Sequence, residues 1–375
     1  TTKMAAANNA VDVSRGCRGY EHNLQQNWYG NVKFGGAPVI PSSVDEMCQI
    51  VATANPPIRV VGRGHSFTPL AECSGGTLIS LIKLNKILDF VLPTNGKLGS
   101  ITVEGGATYT DVIRFLDKRG ALRNLPSCPQ FTVAGAIATA THGSGVDIPN
   151  LAGDVSMLEF ITSDGTREKF SRDNELLNKV RVHLGCLGII STLTLDIVPY
   201  FEVEAIRYDN VLLEYMIENL PKLWKSCDSL SVWSSGMGEG HGKGTCWMTF
   251  RHFRITPASD NEQSALRHCH EEMLKNQGTL CDRFIRRYCT DPQKPVTFNP
   301  SGRGPWFDML TVTMQDGVET SMQTVDLQAE FFVPLESAQD ALRAVWNAVK
   351  EWKFSSPWGY RGEAEMGDVD ALEFR

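Results

Sequence analysis

Ile58-Arg59-Val60-Val61-Gly62-Arg63-Gly64-His65-Ser66-Phe67 is the stretch on which the fold turns. Its first four residues, mostly β-branched, predict a short buried strand that runs directly into a loop with two glycines. With no Cβ at 62 and 64, successive backbone N–H groups can close on an anion, and a pyrophosphate suits such a loop. The nicotinamide-dinucleotide fingerprint G-x-G-x-x-G fails, because Phe67 stands at the third glycine position and residues 80 to 86 carry no acid. Taken alone, the loop reads equally well as a tight β-turn.

Upstream, Ser43-Val44-Asp45-Glu46 fits a capping box, and Met47, Ile50, Val51 and Ala54 follow at helical spacing. A helix is predicted over 44–54, ended by Pro56-Pro57. Downstream come strand-like runs at 77–81 and 100–104, a helix at about 110–119 with a closing Gly120, and a hairpin around Asp164-Gly165. Leu193, Leu195 and Ile197 alternate with Thr192, Thr194 and Asp196, which predicts a half-buried strand closed by Pro199. The rhythm is α+β. Beyond 200 the texture changes: a Gly-rich loop at 235–244, polar stretches at 257–263 and 291–305, a strand at 328–333, and an amphipathic helix at 336–352. Ala338, Ala341, Leu342, Val345, Val349 and Trp352 are its predicted inward face. The expected organisation is an N-terminal extension at 1–25, one domain at 26–199 and a second at 200–375.

A second motif decides between the two readings of the loop. Residues 125–145, Leu-Pro-Ser-Cys-Pro-Gln-Phe-Thr-Val-Ala-Gly-Ala-Ile-Ala-Thr-Ala-Thr-His-Gly-Ser-Gly, are too poor in large side chains to fill a core alone. A flat ligand can lie against such a backbone, while Thr132, Thr139, Thr141 and Ser144 offer hydroxyls to carbonyls or phosphates. Close packing between strand and helix explains the glycines but not so many hydroxyls.

Composition removes several classes of function. At 375 residues the chain has room for two domains, and 42% hydrophobic with 21% charged residues is ordinary for a globular protein. A net charge of −7 with no local basic patch argues against a nucleic-acid partner. No apolar run approaches the roughly 20 residues of a membrane helix, the first residues do not resemble a signal peptide, and the chain reads as soluble. The 10 cysteines show neither paired nor metal-ligand spacing, so free thiols and no metal are expected. His268-Cys269-His270 reads as a polar helix face. A start at Thr1 and an end at Arg375 are what an excerpt of a longer protein would show.

The ordered landmarks are Asn27-Trp28-Tyr29-Gly30-Asn31, Arg59 to Phe67, Asn124 to Ser127, Thr132 to Ala136, Ala138 to Gly145, His183-Leu184-Gly185-Cys186-Leu187-Gly188-Ile189-Ile190 and Glu330 to Pro334. Together they resemble the alditol (xylitol) oxidases, which belong to the vanillyl-alcohol-oxidase type of FAD flavoproteins that also includes the sugar-1,4-lactone oxidases. The resemblance implies an α+β fold: a two-subdomain PCMH-type FAD-binding domain and a cap domain with a large antiparallel sheet flanked by helices.

It also implies roles. Val60, Val61, Gly62, Arg63, Gly64, His65 and Ser66 match the pyrophosphate-holding loop, with His65 at the position that bonds covalently to the flavin 8α-methyl carbon. A neutral imidazole nitrogen is a competent nucleophile for that bond. Ser127, Thr132, Gly135, Thr139, Thr141, His142, Gly143 and Ile190 match further FAD-contacting positions, and Ser127 also a substrate-contacting serine. Glu373 and Arg375 resemble the family's Glu-x-Arg on a cap strand, where period-two geometry brings both side chains to one face. The family continues past this motif with a lysine and a His-Trp-Gly-Lys segment that these 375 residues do not contain; Pro357-Trp358-Gly359 precedes the motif and is not a displaced copy. The implied activity is FAD-dependent oxidation of a primary alcohol of a polyol, with O2 as acceptor and hydrogen peroxide as product. The alternatives are a sugar-lactone oxidase or dehydrogenase, and a flavin-binding protein without turnover.

Overall fold

The structure, a computed structural model, describes residues 25–28, 30–94, 97–235, 244–254, 297–311, 330–351 and 371–374. The expectations for 1–24, Tyr29, 236–243, 257–263, His268-Cys269-His270, 291–296, 328–329, Trp352, Pro357-Trp358-Gly359 and Arg375 lie outside the described residues. The described chain divides into two units. The first comprises 25–143, 148–201 and 305–311; the second comprises 144–147, 202–304 as far as described, 330–351 and 371–374.

The first unit opens with helix α1 (Val44–Thr53), strands β1 (Ile58–Val61), β2 (Thr77–Ser80), β3 (Ile87–Val91) and β4 (Gly99–Glu104), and helix α2 (Tyr109–Leu116). There follow the short helix α3 (Val133–Ala138), β5 (Val155–Ile161), β6 (Arg167–Ser171), the single turn α4 (Leu177–Val180) and β7 (Ile189–Ile197). β1 and β2 pair in parallel, and Val39 bridges to Ile79 beside them. The other five strands form an antiparallel sheet in the order β3-β4-β7-β5-β6. Met47 and Val51 of α1 bury against Ile79 and Leu81 on one side and Ile161 and Ile189 on the other, so one helix joins both sheets into a single core. Each such fully buried side chain contributes about 1.5–3 kcal/mol.

Ser43 caps α1 through its hydroxyl, which accepts from the Glu46 N–H at 3.1 Å. The Glu46 carboxylate accepts from the Ser42 N–H at 2.7 Å. α2 ends at Asp117, whose φ of +44° breaks the helix before Gly120. Gly120 is small for another reason: a Cβ there would lie 2.6 Å from Ile197 of β7. β7, the central strand, keeps the expected alternation at Thr192 and Thr194, which are partly exposed, with the Thr194 hydroxyl bonding that of Thr102 at 2.8 Å; it departs from it at Asp196, whose carboxylate is buried against Arg172. Alternation marks a polar face, and that face need not be wet.

The second unit is built from β8 (Glu202–Leu212), α5 (Leu213–Leu223), β9 (Ser229–Ser235), β10 (Thr245–Arg254), β11 (Thr297–Pro305), α7 (Ala338–Glu351) and β12 (Ala371–Phe374); the one-turn helix α6 (Trp306–Leu310) returns to the first unit. Its sheet runs β11-β8-β10-β9-β12. Ile206, Tyr208, Leu230, Val232, Met248 and Phe250 bury one face of it against Met216, Ile217 and Leu220 of α5 and Trp346 of α7. This is the α+β architecture that the sequence predicts. Three local expectations are corrected. Residues 297–305, read as part of a polar stretch, pair as a strand beside β8. Residues 330–333 lie outside the described strands, with Phe331 and Phe332 89% and 76% exposed, because strand-forming side chains make a strand only within a ladder. α7 starts at Ala338, and Ala338 and Leu342 pack inward as expected, but Val345 is exposed and Trp346 is buried in its place, its indole N–H donating to Glu214 at 3.3 Å.

Candidate functional site: the His65 loop and the 129–143 segment

β1 delivers the chain into the His65 loop, and the segment at 27–31 holds that loop in shape. The Asn27 side chain, 3% exposed, donates to the Ser66 carbonyl at 2.9 Å and accepts from the N–H groups of Gly30 and Val32 at 3.0 Å each. The Trp28 N–H donates to the Gly64 carbonyl at 2.7 Å, and Asn31 to that of Phe67 at 3.0 Å. Gly64 has φ +70°, the left-handed region in which glycine costs least. The His65 ring stacks on Trp28 at 6.1 Å between centroids and lies 4.6 Å from Phe131.

Phe131 belongs to the small-residue motif, so the two stretches singled out in the sequence meet. A Cβ on Gly62 would sit 2.4 Å from the Thr132 hydroxyl, a contact no side chain tolerates. Gly62 therefore lets the loop close on the N-cap residue of α3. Segment 129–133 is itself pinned to the start of α2: the Tyr109 and Thr110 N–H groups donate to the carbonyls of Phe131 (3.1 Å) and Pro129 (2.8 Å), and the Val133 N–H to that of Ala107 (2.8 Å). Val133, Ala136 and Ile137 of α3 face inward, while Gly135 is exposed and Ala138 to Gly143 are partly open. The Thr139 hydroxyl donates to the Gly135 carbonyl at 3.0 Å and lies 3.2 Å from that of Thr141. The His142 ring bonds the Gly143 carbonyl at 2.8 Å, and Gly143 leaves room for the Asn124 side chain, which a Cβ would meet at 2.1 Å.

The third motif joins the same region. The N–H groups of His183 and Leu184 donate to the Ala138 carbonyl at 3.3 and 3.0 Å. Ile190 is buried at the start of β7, opposite Phe160, and Gly105 permits close approach to its carbonyl, 2.1 Å from where a Cβ would stand. Val60 and Val61 lie in β1, paired with Ile79 and Ser80. Ser127 is partly exposed in the turn before Pro129. Ser144 falls in the second unit, where its hydroxyl donates to the Leu230 carbonyl at 2.9 Å. Glu373 also lies there, on β12 opposite Trp233. The sequence reading passed over two features: the amide of Asn27 as the clamp of the His65 loop, and the aromatic enclosure of that ring by Trp28 and Phe131. The Asn27-Trp28 pair in the first landmark was the available signal.

His183 is buried and uncharged at neutral pH. Burial pushes its pKa down to about 4, its Nδ1 accepts from the Gly185 N–H at 3.1 Å, and Phe160 meets the ring edge-on at 5.0 Å. A folded-state value below the unfolded one means that the unfolded chain binds the extra proton. Stability is therefore intact above about pH 6.5 and lost as pH falls towards 4, by up to about 3 kcal/mol. His183→Gln is expected to flatten the slope of urea-unfolding free energy between these pH values; an unchanged slope would refute the assignment.

The residues present suit a flat, phosphate-bearing cofactor. Small or hydroxyl side chains border the open run 138–143, Gly64 is bare in the loop, and the Gln130 side-chain oxygen is buried with no hydrogen-bond partner among the described residues, an acceptor left over beside Phe131. No group of three or more metal-ligating side chains occurs among the described residues, and no helix there is long and apolar enough to cross a membrane.

Residues 37–171 match the family model described as FAD binding domain. The chain is 34% identical to the alditol oxidase of Streptomyces sp. (strain IKD472 / FERM P-14339) over 85% of its own length and 71% of that protein's. It is 36% identical to the L-gulonolactone oxidase of Bos taurus over 54% of its length, and spans about half of that relative, 46%. In structure it resembles the cholesterol oxidase of B. sterolicum, with a TM-score of 0.53 at 18% identity, covering 62% of this chain and 48% of that one, a likeness of fold. The PCMH-type FAD-binding fold, the FAD binding domain and the extent of the alditol oxidase match place this chain in the alditol and sugar-1,4-lactone oxidase family of FAD-binding oxidoreductases.

Proposed function

We propose that the protein oxidises a CH–OH group of a small polyhydroxylated substrate, an alditol or its close chemical relative a sugar lactone, with FAD tethered at His65. The observation that carries this reading is the convergence of the His65 loop with Phe131 and Thr132 inside the segment matched to the FAD binding domain. When bound, FAD supplies a two-electron acceptor for the hydride leaving the carbinol carbon.

The chain's own groups do the rest. The loop at 62–66 holds the pyrophosphate through backbone N–H groups, and its shape is kept by Asn27 and Trp28. Thr132, Gly135, Thr139, Thr141, His142 and Gly143 line the cofactor, and the Ile190 backbone takes its adenine end. Ser127 and Glu373 orient substrate hydroxyls. Arg375 places positive charge where negative charge develops. O2 is the acceptor that regenerates the oxidised protein, releasing hydrogen peroxide.

The test is anaerobic mixing of FAD-loaded protein with xylitol, sorbitol and L-gulono-1,4-lactone while the flavin absorbance is followed. Bleaching by an alditol supports the reading, and bleaching by the lactone alone moves the substrate class to the sugar lactones. A spectrum unmoved by all three leaves a flavin-binding protein without turnover.

A further inference from the structure

The sheet of the second unit has a second face. Along β9 and β10, Leu230, Val232, Cys246, Met248 and Phe250 point into the core with α5 and α7, so Trp233 and Trp247 project from the opposite side. The two indoles are cross-strand partners and lie parallel, 6.3 Å between centroids with 7° between planes. The Arg207 guanidinium on β8 lies over Trp247 at 5.2 Å, and its Nε donates to Asp209 at 2.7 Å.

β8 bulges at this point. Between the pairs Cys246–Val211 and Met248–Tyr208, Asp209 and Asn210 stand opposite Trp247 alone, with Asn210 at φ +61°. Such a bulge re-aims side chains and recurs beside binding sites. On the other flank, Trp233 is the register partner of Glu373. A single row thus crosses three adjacent strands, Trp247, Trp233 and then position 373, and Arg207, whose register partner is Thr249, reaches diagonally over Trp247 from β8. Both tryptophans are only partly buried, although an indole is among the side chains that gain most from burial.

We propose that this row is a substrate shelf, in which Trp233 contacts the C–H face of a polyhydroxylated ligand while Trp247 and Arg207 fix the plane of its indole. The inference rests on the proposed function and deepens it by assigning the substrate a recognition surface. A polyol and a sugar lactone share the needed chemistry. Each presents a strip of C–H bonds that lies against an aromatic face, edged by hydroxyls, and Glu373 is the register partner of Trp233. A flat, rigid shelf binds a ring with little loss of conformational freedom, whereas an open chain gives up several rotors.

The experiment is calorimetric titration of the protein with xylitol and with L-gulono-1,4-lactone, together with the anaerobic flavin-reduction assay. Trp233→Ala is expected to weaken binding of whichever ligand the wild type binds by roughly 2–12-fold, the scale of one aromatic contact, while the rate of flavin reduction at saturating ligand changes less than twofold. The ligand affected identifies the occupant. Trp247→Ala is expected to weaken it less, and Trp247→Phe to restore most of the loss. If Trp233→Ala unfolds, Trp233→Phe with an intermediate affinity makes the same case. Wild-type affinity in Trp233→Ala or Trp233→Phe would overturn the shelf and leave the proposed function standing. Absence of both ligand binding and flavin reduction in wild-type protein would overturn both.

Discussion

Replacing His65 by alanine is expected to abolish acid-stable flavin entirely. Protein loaded with FAD and precipitated with acid should give a yellow pellet, and His65→Ala a colourless pellet with the flavin in the supernatant. The structure gives this side chain a fixed setting. Trp28 stacks along one side of the ring, Phe131 meets it at 4.6 Å, and the carbonyls on either side, those of Gly64 and Ser66, are held by Trp28 and Asn27. A nucleophile held in one orientation forms its bond without first losing rotamer freedom, which is how position substitutes for concentration. The substitution leaves the Asn27 and Trp28 clamps and the Gly62–Thr132 approach intact, so non-covalent binding should survive and the loss should be confined to the tether. A colourless pellet from flavin-loaded wild-type protein would end the covalent claim, and a yellow pellet from His65→Ala would move the bond to another side chain.

Much of this region was legible in the sequence because its signals are local. A β-branched run before Gly62, a small-residue stretch at 132–143 and the His183 motif with Gly185 and Gly188 after it each reflect close packing at a glycine or small residue, and Gly62, Gly105 and Gly143 all prove to be points where a Cβ would strike a neighbour. The reason for each glycine was less legible. Gly62 and Gly143 read as space for a ligand, yet the Thr132 and Asn124 side chains occupy the place of their missing Cβ atoms; only Gly64, at φ +70°, is required by the conformation of the loop itself. Long-range pairings were out of reach. The burial of Trp346 on α7 depends on its Glu214 partner, more than 100 residues earlier, and the covering of Asp196 depends on Arg172 of a neighbouring segment. The Trp233–Trp247 pair was invisible for the same reason, since a tryptophan on a strand does not announce which tryptophan stands beside it.

Arg375→Ala is expected to slow flavin reduction by roughly 10² to 10³, the loss that follows deletion of one preorganised electrostatic contact at a reacting centre. The argument begins from Glu373. It is paired on β12 with Trp233 of β9, at the end of the row that begins at Trp247. Two positions further along an extended chain the side chain returns to the same face, so a guanidinium at 375 and a carboxylate at 373 can address one ligand. Their tasks differ by charge. Hydride transfer leaves negative charge on the acceptor, which a fixed cation stabilises in the transition state more than in the ground state, so removing Arg375 should appear in the maximal rate of reduction. A carboxylate accepts hydroxyl protons that an amide accepts only weakly, so Glu373→Gln should raise the substrate dissociation constant while changing that maximal rate little. Single-turnover reduction by xylitol or the lactone, followed over a range of substrate concentrations, separates the two effects. A wild-type maximal rate in Arg375→Ala would remove the guanidinium from the reacting centre, and unchanged affinity in Glu373→Gln would remove the carboxylate from substrate binding.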